Sequence, residues 1–251
     1  MLGLSNNLSR PGIVAPGIVT NSLVLKHNYA AGGVVPVSDG AAFFDGTDDY
    51  IDTGTGIDLG STTDFTITCW AKAGDWTSQM LMGKFVDSSN RWYFTTNGSD
   101  ILYFFSIAGA ANGIVYTGTT ALTNGEWTHI ALVADRSENA KGYINGVLDN
   151  TDTEGGGENF DLDIDISSDF NIGKVSSDFF SGNICNVGIW SVALTQPQVK
   201  SIMWKNYAGL TSSETTNLVS WWNLDEETAT DGTAGSGGVK DHEGSNHGTL
   251  S

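Results

Sequence analysis

The chain has 251 residues, enough to bury a sizeable core, and all-β sandwiches of that length commonly form one domain. Its 29 acidic residues against 11 basic ones give a formal net charge of −18 at pH 7, which repels phosphate-rich partners and excludes nucleic acid and anionic membrane as targets. With 32 glycines and only 4 prolines, the repeated short alternating segments predict many strands joined by turns.

At the start, the apolar character of "MLGLSNNLSRPGIVAPGIVTNSLVLKHNY" is interrupted by Asn6, Asn7, Arg10 and two Pro-Gly pairs. That pattern predicts neither a signal peptide nor a membrane-spanning segment. "PGIV" occurs twice, and Pro11, Ile13, Val14, Pro16, Ile18 and Val19 are apolar enough to seek a surface but too few to build a core. Residues 1–21 are therefore expected to form an extended arm that docks on another subunit, ahead of a main domain over residues 22–251. "SLVLKHNY", Ser22 to Tyr29, is a first candidate strand of that domain.

In "FFDGTDDYIDTG", Asp45 and Gly46 have the chemistry of a tight turn in which the Asp side chain bonds to its own backbone. Asp45, Asp48 and Asp49 also place three carboxylates where they can converge on a hard cation such as calcium. Both readings stay open. "DFTITCWAK" alternates as a strand and carries Cys69, which with Cys185 makes up the cysteine complement. Two buried free thiols in a chain made in a reducing cytoplasm are expected, and a zinc site lacks ligands.

Aromatic side chains that can stack on sugar rings include Trp76 in "GDWTSQ", Trp92 and Tyr93 in "NRWYF", and the pair Trp221-Trp222. In a strand, one member of an adjacent pair must face the core. Arg91 beside Trp92 makes the loop around residues 87–92 the preferred glycan contact, with Arg91, Trp92 and Trp76 as its residues.

Further along, "ILYFFSIA" and "WTHIALVAD" alternate as strands, and Asn145-Gly146 in "KGYINGVLDN" supplies the positive φ angles of a hairpin turn. His129 has no nucleophile motif near it and is expected to be a hydrogen-bonded structural residue. In "DLDIDISSD", Asp161, Asp163 and Asp165 alternate with Leu162, Ile164 and Ile166, which predicts a strand with a solvated acidic face. A calcium loop is the weaker reading, since Ile166 stands where a turn glycine is needed and Ile172 where a closing glutamate belongs.

One helix is predicted in "LTQPQVKSIMWKNY", where Thr195 and Gln198 have capping-box spacing, Pro197 suits a first turn, and Val199, Ile202 and Met203 share a face. It is expected to lie across the sandwich as a lid. "LVSWWNLDE" then repeats the character of a first strand near the end of the chain, at Leu218 to Glu226.

The ordered set "FFDGTDDYIDTG", "FTITCWAK", "EWTHIALVAD" with "GYINGVLD", and "FFSGNICNVGIWSVALTQPQV" resembles the laminin-G-like, concanavalin A-like jelly-roll domains over roughly residues 41–205. The resemblance implies an all-β, two-sheet antiparallel jelly-roll sandwich with one short helix in the C-terminal half. Members of that family begin with a strand of the "LV.W.LDE" type. Residues 22–29 and 218–226 both claim that slot, and either could add to a neighbouring subunit's sheet.

The flanks "SLVLKHNY", "NLVSWWNLDEE" and "DHEGSNHGTL" are similar to the ends of laminin-G-like proteins that marine bacteriophages encode and that are assigned to the virion. Glycan-cleaving relatives of the fold carry Glu-x-Asp-x-x-Glu on one strand, and no glutamate here begins that run. The expectation is a non-catalytic surface protein of a phage particle, made in the host cytoplasm. Its partners would be its own subunits, other virion proteins and host-surface glycans. A free carbohydrate-binding module is the alternative, and a glycan-cleaving enzyme is disfavoured.

Overall fold

The computed structural model describes residues 40–109, 111–153, 158–225 and 238–251. The arm at residues 1–21 and the candidate strand at 22–29 lie outside the described residues. Strands come first: β1 (Ala42–Asp45), β2 (Ile51–Asp52), β3 (Phe65–Ala73), β4 (Met80–Asp87), β5 (Asn90–Thr96), β6 (Ile101–Ala108) and β7 (Ala111–Ala121). They continue with β8 (Thr128–Asp135), β9 (Asn139–Ile144), β10 (Val147–Thr153), β11 (Phe170–Ile172), β12 (Lys174–Val175), β13 (Asp178–Phe179) and β14 (Ser181–Trp190). Helix α1 (Gln196–Ile202) precedes β15 (Leu218–Trp222), β16 (Gly238–Val239) and β17 (Gly248–Leu250).

These form the expected two-sheet antiparallel sandwich. One sheet has the order β1-β14-β3-β8-β9-β10, with β15 also on β14, and the other has the order β16-β17-β2-β11-β4-β5-β6-β7. The short hairpin β12-β13 stands apart from both. The core between the sheets is rich in rings, including Trp92, Phe94, Phe104, Phe170 and Trp222. Among the described residues no helix is long and apolar enough to cross a membrane.

Two strands share one edge of β14. Residues Ser181–Ile184 pair with β1, whereas Val187–Trp190 pair with β15, and the opposite edge of β14 runs along β3. Leu218–Trp222 therefore completes the sheet of its own chain. The tail then crosses to the other sheet, where β17 pairs with β2 and Ser251 exchanges two backbone hydrogen bonds with Tyr50. Asp241 fastens this crossing: its carboxylate accepts from Ser220 Oγ (2.8 Å) and from the backbone N–H groups of Trp221, Glu243, Gly244 and Asn246 (2.9–3.1 Å). Period-two alternation sends Trp222 into the inter-sheet core and Trp221 to the opposite face.

That opposite face is covered by α1. Val199 and Ile202 bury against Ala131, Val133, Tyr143, Trp190 and Trp221, as the predicted lid requires. The Thr195 N–H donates to Gln198 Oε1 at 2.8 Å, satisfying an orphan donor at the helix start. Trp70 Nε1 donates to the Met203 carbonyl at 2.7 Å just beyond the helix.

Beneath this region His129 is buried edge-on to Trp70, with ring centroids 5.5 Å apart. Burial pushes its pKa down to about 3, so the ring is neutral. The expected hydrogen bond fails at Nδ1, which has no partner among the described residues. Cys69 and Cys185 are buried thiols and form no disulfide, in line with the thiol expectation.

The acidic stretch departs from the strand prediction. Residues 161–169 form an irregular loop, although burial still alternates: Asp161, Asp163 and Asp165 are exposed while Ile164 and Ile166 are buried. Two of this loop's carbonyls, those of Leu162 and Ile166, accept from buried cations. Arg136 donates to the carbonyls of Leu59, Gly60, Thr63, Phe160 and Leu162. Lys84 Nζ donates to Thr55 and Ile166 carbonyls and lies 3.6 Å from the Asp165 carboxylate. The surrounding carboxylates of Asp163, Asp64, Asp161 and Asp58 favour the charged guanidinium against the cost of its burial.

Candidate functional site

Strands β5 and β6 lie side by side in the eight-stranded sheet, and their alternation defines two faces. Trp92, Phe94, Leu102 and Phe104 point into the core, which turns Arg91, Tyr93, Tyr103 and Phe105 outward. Register places Tyr93 directly opposite Phe105, and the two rings stack at 5.5 Å with a 30° interplanar angle. Tyr103 lies 6.3 Å from Phe105 at 13°, so the rings form a continuous half-buried strip.

Arg91 sits over one end of the strip. Its guanidinium carbon is 5.9 Å from the Tyr93 centroid and 5.7 Å from that of Phe105, within cation–π range. Neither ion pair among the described residues involves Arg91. Its Nε is buried without a hydrogen-bond partner. Burial raises the Tyr93 pKa against the opposing pull of Arg91, and burial followed by the nearby Tyr93 and Glu158 raises that of Tyr103. Both phenols therefore stay protonated at neutral pH, able to donate and accept hydrogen bonds.

A wall rises beside the strip. Gly83 of β4 lies opposite Tyr93, and a Cβ there would clash first with the Trp92 carbonyl and the Tyr93 Cα (2.9 Å) of β5 and then with Val175 Cγ2 (3.0 Å), so the bare backbone admits both the neighbouring strand and hairpin β12-β13. Between hairpin and strip is a depression of about 280 Å³, lined by Met80, Phe85, Arg91, Tyr93, Val175, Ser176 and Asp178. A second depression of about 530 Å³ adjoins it, sharing Met80 and Asp178 and reaching Gly46 and Thr47. Together they make one groove from Arg91 to the "DGTDD" turn. Lys174 Nζ lies 3.7 Å from the Tyr50 centroid and 5.3 Å from that of Phe179, bracing the hairpin.

At that turn the carboxylate oxygens of Asp45, Asp48 and Asp49 lie within 4.8 Å of one another. The turn chemistry is present as well: Asp45 Oδ1 accepts from the Thr47 N–H at 2.7 Å, and Asp49 Oδ2 accepts from the Asp45 N–H at 3.0 Å. An all-oxygen set of this kind suits calcium in donor type and supplies only part of the roughly six to eight ligands that ion takes.

Of the three residues expected to meet a glycan, only Arg91 reaches the surface. Trp92 is buried against Phe170 at 5.6 Å, because an outward Arg91 forces its neighbour inward. Trp76 is also fully buried, its Nε1 donating to the Thr123 carbonyl. Both assignments are therefore corrected to core. The residues that replace them, Tyr93, Tyr103 and Phe105, stand on the opposite parity of "NRWYF" and "ILYFFSIA" from the buried Trp92, Phe94, Leu102 and Phe104, and only Tyr93 among them is expected from sequence as a sugar-stacking ring. What the alternation alone lacks is which face meets the other sheet.

Comparison with known proteins agrees with this architecture. The family model of the concanavalin A-like lectin/glucanases superfamily matches residues 45–200. A Bacteroides ovatus protein assigned to carbohydrate binding is similar in structure, with a TM-score of 0.57 and 23% identity, covering 84% of this chain. This chain spans only 57% of that one. The Ruminococcus gnavus IT-sialidase CBM40 bound to α2,3-sialyllactose has a TM-score of 0.51 at 13% identity, covering 68% of this chain and 100% of its own. No curated protein matches the sequence. With a matching family model over more than half its length and the two-sheet sandwich that family builds, this chain belongs to the concanavalin A-like lectin/glucanases superfamily.

Proposed function

We propose that the domain is a non-catalytic glycan-binding module whose site is the outward strip of Arg91, Tyr93, Tyr103 and Phe105 with its adjoining groove. The observation that carries this reading is the strip itself. Three half-buried rings, two of them with phenol groups, stand on a rigid sheet face beside an open depression. Such rings present apolar faces for the C–H side of a sugar, while their hydroxyls, Arg91 and Asp178 offer polar partners for its rim. Two proteins of the same fold have carbohydrate ligands or assignments, which supports the ligand class at the level of fold.

The test is titration calorimetry against a panel of oligosaccharides, with Tyr103→Ala and Phe105→Ala beside the unaltered chain. Each lost stacking partner is worth about 0.5–1.5 kcal/mol, or roughly two- to twelvefold in Kd. Unchanged affinity in both variants, or steady release of reducing ends from the bound glycan, would overturn the reading.

Attachment of this module to a phage particle through residues 1–21 is the accompanying proposal. Its support is the doubled "PGIV" segment and the terminal resemblances. Light scattering on the full chain and on a chain lacking residues 1–21 is expected to show an oligomer that dissociates without the arm. Equal masses would sink that part while leaving glycan binding intact.

A further inference from the structure

Resting on the glycan-binding reading, we infer that the site selects sugars bearing a carboxylate, with Arg91 as the residue that reads it. A site for neutral sugars needs no unpaired cation. Here a guanidinium is held at the mouth of the groove by two rings and by no carboxylate within ion-pair distance among the described residues. Its buried Nε has no hydrogen-bond partner, and Tyr93 is the neighbour that the guanidinium touches with a hydrogen bond, so no anionic group among the described residues claims it. A planar guanidinium that lies over aromatic rings keeps its outer edge for a carboxylate, which it can grip with two parallel hydrogen bonds.

The groove also has a polarity. Arg91 and Tyr93 line only the first depression, Ser78, Ser177 and Thr47 line only the second toward the "DGTDD" turn, and Asp178 stands between them and lines both. An acidic group placed at the second end would find Asp178 and no cation among the lining residues. The acidic sugar therefore sits at Arg91, and neutral residues of the same chain extend toward Asp178, whose oxygens accept from hydroxyls. The overall charge of −18 further restricts the ligand. A densely sulfated chain is repelled along its length, whereas an isolated carboxylate needs compensation at one point only.

Two sources supply this chemistry, hexuronates and sialic-type acids, and the experiment separates them. Full-length protein is titrated with an oligosaccharide of one terminal glucuronate on neutral xylose residues and with its methyl ester, and in parallel with sialyllactose and lactose. The acid of at least one pair is expected to bind about tenfold or more tightly than its uncharged counterpart, the scale of one charge-assisted hydrogen bond. Arg91→Gln should equalise that pair, and Arg91→Lys should keep part of the preference. Melting temperatures of both variants check that the fold is intact.

Equal binding of acid and neutral forms overturns the carboxylate assignment and leaves glycan binding standing. A preference that survives Arg91→Gln overturns the role of Arg91. Failure of every sugar to bind counts against the glycan reading and this inference together.

Discussion

Replacing Arg136 with alanine should remove much of the domain's stability, and the loss can be reasoned from the contacts. The side chain is 5% exposed and makes five hydrogen bonds, to carbonyls of Leu59, Gly60, Thr63, Phe160 and Leu162. Its guanidinium also lies 5.6 Å from the Phe65 centroid. Summing a full charge-assisted bond for each contact would overshoot, because the freed loops can relax and admit water to some carbonyls. Removing one member of a buried charged network typically costs about 3–5 kcal/mol, a large share of the roughly 5–15 kcal/mol that holds a domain together.

Arg136→Lys should recover only part of this, since an ammonium has three donors on one atom and cannot make the five bonds of the planar guanidinium fork. Urea unfolding followed by tryptophan fluorescence measures the midpoint and slope for all three proteins. A midpoint shift worth under about 1 kcal/mol for the alanine variant would refute the reasoning. The consequence reaches the candidate site, because the loop pinned by Arg136 leads into Phe170, which stacks on the core side of β5 through Trp92.

Acid should loosen the seam where β10 meets the edge of β7. Burial alone would raise the Asp149 pKa, but bonds from Thr120, Thr119 and Tyr116 outweigh it and leave the pKa below the ordinary carboxylate value. Because the folded value is the depressed one, the stabilisation is complete above the unfolded pKa, about 3.9, and is lost as pH falls through the folded value. Glu214 acts in the same sense: burial opposes ionisation, yet bonds from Lys205, Ser201 and Thr211 lower its pKa to about 2. Thermal melts between pH 7 and pH 2 should therefore show a steep acid limb that flattens in Asp149→Asn.

Asp241→Ala should cost about 2–4 kcal/mol by orphaning buried donors, and limited proteolysis should then release the C-terminal tail. Calcium at millimolar levels should raise the melting temperature if the "DGTDD" turn holds it, and Asp48→Asn should remove that rise. A calcium response unchanged in Asp48→Asn would place the ion elsewhere.

Much of the fold was legible from local pattern. Alternation in "DFTITCWAK" and "ILYFFSIA", the Asn145-Gly146 turn and the capped helix at Thr195 each depend on neighbours a few residues away. So did the rule that splits Trp221 from Trp222. The candidate site was legible only in half: Arg91 was marked, while Trp92 was credited with the exposure that belongs to Tyr93. Parity says that the two residues part, and it takes the packing of one sheet on the other to say which way.

The sequence by itself determined the strand periodicity, the turn chemistry, the single helix and the strongly negative charge, because these follow from side-chain spacing and composition. Tertiary structure alone decided three further matters. It set "DLDIDISSD" as a loop whose Leu162 and Ile166 carbonyls accept from Arg136 and Lys84, cations remote in sequence. It seated Leu218–Trp222 on β14 of its own chain, since that edge stood open beyond the reach of β1. And it brought Arg91 and Tyr93 together with hairpin β12-β13 around one depression, a coincidence of strands far apart in the chain that long-range sheet pairing creates and local sequence cannot express.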